Sequence, residues 1–374
     1  MAYNRMVLSI IHSIGTAVPE NRIDQKRIAD FMAQAHGFDE REKTRLNALY
    51  RASGIAQRHS VIADYGSLTP ADWSFYPHSP DLKPFPSTKT RSELYKNEAL
   101  KLASKAVRNC LEGTEVSTSE ITHLITVSCT GMYAPGLDID LVKSLDLPKS
   151  VQRTSINFMG CYAAVTGIKT ADAICKAMPE SKVLLVAAEL CTIHFQNKTD
   201  EDNLLANAIF SDGSAALLMT AREEGKDYEK GLSPKAFHCD LLPDGEKDMA
   251  WNIGDFGFEM KLSAYVPDLV KGGVKTLIDQ LSALLDGTHI GHYAIHPGGK
   301  KILTVIEEEL GIEKVQNRHA HEVLRNNGNM SSPTVLFVLK ALMESVNAEN
   351  KGEHVLSMAF GPGLTLESAV FEIV

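Results

Sequence analysis

The stretch Ser155–Val165, SINFMGCYAAV, decides the fold because a strand-like pattern changes there into a helical one. Polar and apolar residues with extended character lead into Gly160 and Cys161, and small residues then recur at helical spacing as far as Ala171. One interpretation is a cysteine buried in a packed core. The other is a nucleophile at the end of a strand, whose thiol the dipole of the following helix would shift towards thiolate.

Apolar segments of strand length alternate with helical patterns on both sides of this stretch. Residues 5–17, 120–131 and 181–190 are predicted strands, and residues 97–112 have the spacing of a helix that packs on a sheet. Residues 206–221 contain an Asp-Gly pair between apolar runs, which predicts a hairpin. Strands alternating with helices indicate an α/β protein with a largely buried sheet.

The second part of the chain repeats this theme. A helical pattern at 269–285 leads to a strand that ends in HPGG, and two further helices precede the closing strands at 354–374. The charged, glycine-containing segment at 222–235 is the best candidate for a boundary. We therefore predict two halves, residues 1–225 with the cysteine and residues 226–374.

Composition excludes several classes of protein. The chain has 374 residues and a net charge of −9, which argues against a broad nucleic-acid footprint. No run approaches 18 uninterrupted apolar residues, and the N-terminal stretch lacks the parts of a signal peptide, so we expect a cytoplasmic protein with no membrane span. Its six cysteines have neither zinc-ligand spacing nor the density of a disulfide framework, and no metal is predicted.

Three residues could carry chemistry together. His296 ends an apolar strand in YAIHPGG, and Asn329 lies in a glycine-containing loop before a helix that Pro333 begins. With Cys161 they supply a nucleophile, a proton acceptor and a neutral donor. The 135 residues between cysteine and histidine superficially suit a papain-like hydrolase, but the surroundings GCYAA and the mid-chain position argue against one.

At these residues the chain resembles the type III polyketide synthases, the chalcone and stilbene synthase-like family of the thiolase superfamily. The likeness runs nearly from end to end, and the chain is identified as a bacterial-type member. The segments that carry it are IHSIGTAVPENRI, GCYAAVTGI, HPGG, GNMSSPTVLF and FGPGLTLE.

The resemblance implies a thiolase-like stacked αβαβα fold of two similar halves, a homodimer, and a tunnel for the pantetheine arm of coenzyme A. Cys161 would carry the acyl starter as a thioester. His296 and Asn329 would drive decarboxylation of malonyl-CoA and stabilise the oxyanions, as preorganised donors in a dry site can. No cofactor is implied, because the coenzyme A thioesters are substrates.

The resemblance also implies a set of cavity residues. Phe210 falls on a gatekeeper phenylalanine position between tunnel and cavity, and Met260 or its neighbour Phe258 falls on the other. The remaining matches to cavity-lining positions are Cys191, His194 and Ser331.

Two departures from the plant pattern bear on partners. Only Arg51 and Arg58 are available in LNALYRASGIAQRHS to grip the phosphates of coenzyme A, which leaves delivery by an acyl carrier protein open. Ala134 stands where plant members place a methionine that reaches across the dimer, so a crossing methionine is either Met132 or missing from this chain.

Three functions are weighed on these observations. The first is a type III polyketide synthase that extends an acyl-CoA starter, aliphatic because flexible Met260 could open an apolar tunnel, to a resorcinol, pyrone or phloroglucinol-type product. The second is a chain-initiating ketoacyl-ACP synthase that performs one extension. The third is a non-catalytic thiolase-fold subunit that binds an acyl chain.

Overall fold

The computed structural model describes residues 7–223, 230–242, 245–263, 266–285 and 288–374. Its strands are β1 (Val7–Ala17), β2 (Asn21–Asp24), β3 (Gln57–Ser60), β4 (His123–Ser128), β5 (Gln152–Asn157), β6 (Lys182–Leu190), β7 (Asp212–Glu223), β8 (Leu232–Leu241), β9 (Met249–Gly254), β10 (Gly257–Leu262), β11 (Ile290–Ile295), β12 (His354–Gly361) and β13 (Thr365–Ile373). Its α-helices are α1 (Gln25–His36), α2 (Glu40–Ala52), α3 (Thr88–Leu111), α4 (Leu137–Ser144), α5 (Ala163–Ala177), α6 (Glu201–Ile209), α7 (Val266–Leu285), α8 (Lys300–Leu310), α9 (Arg318–Asn327) and α10 (Pro333–Ser345).

Nine of the strands form one mixed sheet in the order β11-β12-β13-β8-β1-β7-β6-β4-β5. The first four belong to the C-terminal part of the chain and the last five to the N-terminal part. The two groups meet at β1 and β8, which share the single residue pair Ile11–Leu232. In each group a parallel pairing, β4 with β6 or β11 with β12, is followed by antiparallel strands, so the two halves have similar sheets.

Two helices lie between the halves. Helix α5 contacts β4, β6 and β7 of one group and β13 of the other, while α10 contacts β11 and β12 as well as β1 and β7. Helix α3 packs on the N-terminal strands, and α7 packs on β8 and on α8. The fold is therefore the thiolase-like stack of helices and sheets that the sequence predicts.

Small residues on α5 let this central helix approach the sheet closely. Ala163 and Ala164 are fully buried, and a Cβ on Gly167 would lie 2.7 Å from a methyl carbon of Leu185. The spacing noted in the sequence thus reflects packing against β6.

The hairpin predicted at residues 206–221 is wrong, because α6 occupies its first part and the Asp-Gly pair begins β7. The buried Asp212 carboxylate accepts backbone N–H bonds from Val61 and Thr192, each at 2.8 Å. A Cβ on Gly213 would lie 2.3 Å from the sulfur of Met330. Both residues are therefore explained by tertiary contacts and not by a turn.

The boundary predicted between residues 225 and 226 lies outside the described residues. Among the helices of the described ranges, none combines the length and apolarity that crossing a membrane requires. The same ranges contain no group of three or more His, Cys, Asp or Glu side chains arranged to hold a metal ion.

Candidate active site

Cys161 lies in the turn that joins β5 to α5. Gly160 before it has a φ of 83°, in the left-handed region that favours glycine, and a Cβ there would lie 2.2 Å from the Pro362 ring. The Gly160 N–H donates to the sulfur of Cys129 at 2.9 Å. The turn therefore presents the Cys161 thiol two residues before the start of α5, in the interior of the protein.

His296 follows the last residue of β11. Its backbone N–H donates to the Met358 carbonyl at 2.8 Å, which continues the pairing of β11 with β12. The side chain is 1% exposed, and neither ring nitrogen has a hydrogen-bond partner. Buried polar atoms without a partner are rare in proteins, and here both ring nitrogens are left available to a group that enters the cavity that His296 lines.

Asn329 is held by its backbone and by its side chain. The backbone N–H and C=O pair with the residues on either side of Phe210, at 2.9 Å each. The side-chain oxygen accepts from the Ser331 N–H at 2.8 Å, and the NH₂ donates to the Gly298 carbonyl at 3.2 Å. This network fixes the orientation of the amide, and the Cys161 sulfur lies 4.0 Å from its oxygen.

Two cavities meet at the cysteine. The smaller, of about 330 Å³ with its opening, is lined by Cys161, His296 and Asn329. The larger, of about 860 Å³ with its opening, is also lined by Cys161. Phe210 and Met249 line both, so these two side chains stand where the cavities adjoin.

The larger cavity gathers the other candidate residues. Phe210, predicted between tunnel and cavity, lines both cavities. The remaining candidates that line the larger cavity are Phe258, Met260, Cys191, His194 and Ser331.

The two arginines are placed differently. Arg51 is exposed near the end of α2. Arg58 is 4% exposed, and it donates to the Phe210 carbonyl at 2.6 Å and to Gln25 Oε1 at 2.8 Å. Arg58 therefore supports the interior wall of the site and does not lie on an exposed rim for phosphates.

Burial favours the uncharged forms of Cys161 and His296. Desolvation raises the pKa of Cys161 to about 11, the Glu189 charge raises it further, and hydrogen bonds with Ser331 and Asn329 only partly oppose this. Desolvation lowers the pKa of His296 to about 3. This direction is opposite to the shift towards thiolate that the helix dipole would give, so desolvation favours a thiol at Cys161 and a neutral imidazole at His296.

A buried carboxylate behind the cysteine was not among the candidates. Glu189 is fully buried at the end of β6 and accepts from the backbone N–H groups of Cys129 and Thr130 at 2.9–3.0 Å, and from the Ser332 hydroxyl at 3.1 Å. Desolvation raises its pKa to about 7. A charged residue closing the apolar run VLLVAAEL was the available signal.

His194 has a structural task in the larger cavity. Its Nε2 lies 2.7 Å from the Thr130 carbonyl, and its Nδ1 accepts from the Phe258 N–H at 2.9 Å. Its ring stacks on Phe258 with centroids 4.2 Å apart. With both nitrogens engaged and its pKa lowered to about 3 by desolvation, it is a neutral wall and not a proton shuttle.

Comparisons with known proteins match nearly the whole chain to one family. Residues 4–223 match the family model of the N-terminal domain of chalcone and stilbene synthases, and residues 235–374 match that of the C-terminal domain. The alpha-pyrone synthesis polyketide synthase-like Pks18 of Mycobacterium tuberculosis is 29% identical over 98% of this chain and 92% of its own length. A putative chalcone synthase of Bacillus subtilis is 30% identical, with 97% and 98% covered.

Two further relatives are larger or more distant in sequence. The probable polyketide synthase 1 of Dictyostelium discoideum is 30% identical over 100% of this chain, which spans only 12% of that protein. The crystal structure of PKS-I from the brown alga Ectocarpus siliculosus superposes with a TM-score of 0.92 at 26% identity, covering 99% of this chain and 100% of the other.

A thiolase-like fold in which a cysteine, a histidine and an asparagine line one cavity is typical of an acyltransferase-type enzyme. The chain belongs to the chalcone and stilbene synthase family, the type III polyketide synthases.

Proposed function

We propose that this enzyme joins malonyl units to an aliphatic acyl starter through a thioester on Cys161 and releases a pyrone, resorcinol or phloroglucinol-type product. The observation that carries the proposal is the His296 imidazole, which is buried without a partner in the cavity that it shares with Cys161 and Asn329. The Mycobacterium relative is named for alpha-pyrone synthesis, which supports a pyrone among these products.

Starter loading uses the neutral pair of the resting site. The Cys161 thiol passes its proton to His296 as its sulfur attacks the thioester carbonyl of the starter. The carbon–sulfur bond to coenzyme A then breaks, and the leaving thiolate takes the proton from His296. The active-site residues end uncharged, because the proton only passes through the imidazole.

Extension uses the same cavity without a charged base. When malonyl-CoA loses CO₂, the electrons of the broken carbon–carbon bond move onto the thioester oxygen. The N–H of neutral His296 and the NH₂ of Asn329 stabilise that oxygen as preorganised donors. The enolate carbon then attacks the starter carbonyl and expels Cys161 as a thiolate, which lengthens the chain by two carbons.

The shape of the larger cavity supports an aliphatic starter. Its lining extends from Cys161 to Ile28 and Met32 on α1, so an apolar wall leads away from the sulfur. Met260 and Phe210 contribute flexible and aromatic surface beside it. An alkyl chain gains free energy roughly in proportion to the area that it buries in such a wall.

The smaller cavity supports delivery on coenzyme A. Gly298 lines it, and Lys300 begins α8 two residues later. The Lys300 side chain lies against Gly54, because a Cβ on Gly54 would be 3.2 Å from the Lys300 Cδ. Arg51 precedes Gly54 by three residues. No ion pair within the described ranges involves Arg51 or Lys300. We assign these two cations to the coenzyme A phosphates.

Delivery is tested with Arg51→Ala on three malonyl thioesters. We expect KM to rise for malonyl-CoA and to stay unchanged for malonyl-pantetheine, which has no phosphate. An equal KM for malonyl-CoA in wild type and variant, together with faster turnover of malonyl-acyl carrier protein, would instead assign delivery to the carrier protein.

Strand β5 supports the proposed homodimer. It ends the nine-stranded sheet, and five of its six side chains are exposed. Exposed sheet edges in monomers are usually covered or blocked, so a second copy is a fitting partner. Met132 is 53% exposed and is the proposed crossing methionine. Light scattering at the mass of one chain for the wild type would refute the dimer.

Mass spectrometry of products from malonyl-CoA and saturated or aromatic acyl-CoA starters tests the main proposal. We expect products from saturated starters in the wild type and none in Cys161→Ala. Cys175→Ala is the matched control, because Cys175 is buried in α5 and lines neither cavity. Products with one extension only would indicate a ketoacyl synthase.

Asn329→Asp separates the two half-reactions. A carboxylate beside the developing enolate repels charge, so we expect extension to fall by about 10²–10³-fold, the cost of losing one oxyanion donor. Starter loading on Cys161, read from the intact-protein mass, should continue. Full extension activity in this variant would contradict the assigned role of the amide.

A further inference from the structure

The hairpin formed by β9 and β10 is a wall of the larger cavity. Met249, Trp251, Phe258 and Met260 all lie on it and all line that cavity. The two strands pair only with each other and form a sheet separate from the nine-stranded one. Because an isolated two-stranded hairpin is marginally stable, its position depends on the groups that hold it.

Thr88, the first residue of α3, holds the tip of this hairpin. Its backbone N–H donates to the Asp255 carbonyl at 2.9 Å. Its hydroxyl accepts from the Gly257 N–H at 2.7 Å and donates to the Gly254 carbonyl. One threonine thus satisfies three backbone groups of the turn, two of them through its hydroxyl.

Gln196 and Arg91 hold the same tip from the interior. The Gln196 amide, which is 5% exposed, donates to the carbonyls of Phe256 and Phe258 at 3.1 and 3.3 Å. Gly257 has a φ of 110°, and a Cβ there would lie 2.9 Å from Cδ of the fully buried Arg91. The tip is therefore seated at contact distance on two buried side chains.

We propose that Thr88 and Gln196 are positioning residues that set the number of malonyl extensions. Phe258 is one residue beyond the tip glycine and Met260 is three beyond, so both side chains move with the tip. The proposal rests on the proposed function, because it concerns how far a chain on Cys161 can grow. Selection by a cavity wall operates at the scale of a methylene group, so a small outward shift of this wall admits a further unit.

Thr88→Val tests this without a change of side-chain shape. It removes the two hydroxyl bonds and keeps the backbone bond to Asp255. We expect the ratio of longer to shorter polyketides to rise by up to about 30-fold, the factor that corresponds to loss of two ordinary hydrogen bonds of about 1 kcal/mol each. Thr88→Ser should restore the wild-type ratio, because it restores the hydroxyl.

Thr90→Val is the matched control for this experiment. Thr90 lies in the same helical turn, is exposed, and bonds to Ser87 instead of to the hairpin. Its substitution should leave the product ratio unchanged. Hydrogen exchange of the Gly257 amide should accelerate in Thr88→Val and stay at the wild-type rate in Thr90→Val.

The outcomes separate this inference from the function on which it rests. Absence of acyl-Cys161 and of polyketides in the wild type would refute the proposed function. Wild-type products together with an unchanged ratio in Thr88→Val would refute the positioning role. Gln196→Met keeps the side-chain length and removes the amide, so it should also raise the ratio of longer to shorter products. A shift towards shorter products in Thr88→Val or in Gln196→Met would overturn the inference.

Discussion

Replacing Gly160 by alanine should destabilise the fold and displace the neighbouring Cys161. A side chain at a φ of 83° costs about 1–2 kcal/mol, because the Cβ crowds its own carbonyl. The new Cβ would also lie 2.2 Å from the Pro362 ring, and overpacking of this kind costs about 1–3 kcal/mol. We therefore expect the free energy of unfolding to fall by about 2–5 kcal/mol.

Gly113→Ala is the control that isolates the clash. Gly113 has a φ of 76°, and nothing lies within 4 Å of where its Cβ would be. This variant should lose only the backbone part, about 1–2 kcal/mol. Urea unfolding of both variants and the wild type at one protein concentration gives the comparison, since the stability of an oligomer depends on concentration.

The reasoning also predicts a selective loss of chemistry. Relief of the clash moves Cys161, which follows Gly160 directly, so starter loading should slow in Gly160→Ala and remain normal in Gly113→Ala. Intact-protein mass spectrometry after mixing with acyl-CoA measures the loading rate. Equal losses of stability in the two variants, or wild-type loading in Gly160→Ala, would refute the argument.

Two further predictions concern protons. With the pKa of Cys161 raised to about 11, the rate of its alkylation by iodoacetamide should still be rising at pH 9. Glu189→Gln should shift this pH–rate profile to lower pH, because it removes a nearby negative charge. A rate that reaches a plateau below pH 8 would contradict the prediction. His296 is buried neutral with a pKa lowered to about 3, so the unfolded state binds its proton first as pH falls below about 6.5, and stability is lost from there downwards. In His296→Gln the dependence of unfolding free energy on pH between 6 and 4 should weaken by about 1.4 kcal/mol per pH unit; identical slopes measured by urea unfolding at each pH would count against it.

The fold and the central residues could be predicted because local patterns report them. Cys161 and His296 each follow a strand, and Asn329 precedes a helix begun by Pro333, so each lies at the end of a regular element. Such ends meet at one place in an α/β fold. The ordered motifs then identify the family over the whole chain.

Residue spacing was a poor guide where the environment of a side chain depends on its burial in the folded chain. Arg51 and Arg58 stand seven residues apart in one basic segment, yet one is exposed and the other donates to the carbonyl of Phe210. The Asp-Gly pair at Asp212 has the composition of a turn, but its carboxylate is bound by distant backbone groups. Tertiary contacts of this kind leave no local trace in the sequence.

The neutral resting state of Cys161 has a consequence for the life of the enzyme in an oxidising environment. Peroxides attack thiolates, and a cysteine oxidised beyond sulfenic acid is generally lost for catalysis. Because burial raises the pKa of Cys161 to about 11, the thiol is almost entirely un-ionised at pH 7. For the sulfur that we propose to carry the acyl chain, a low thiolate content between turnovers should slow oxidation by peroxide while no substrate is bound.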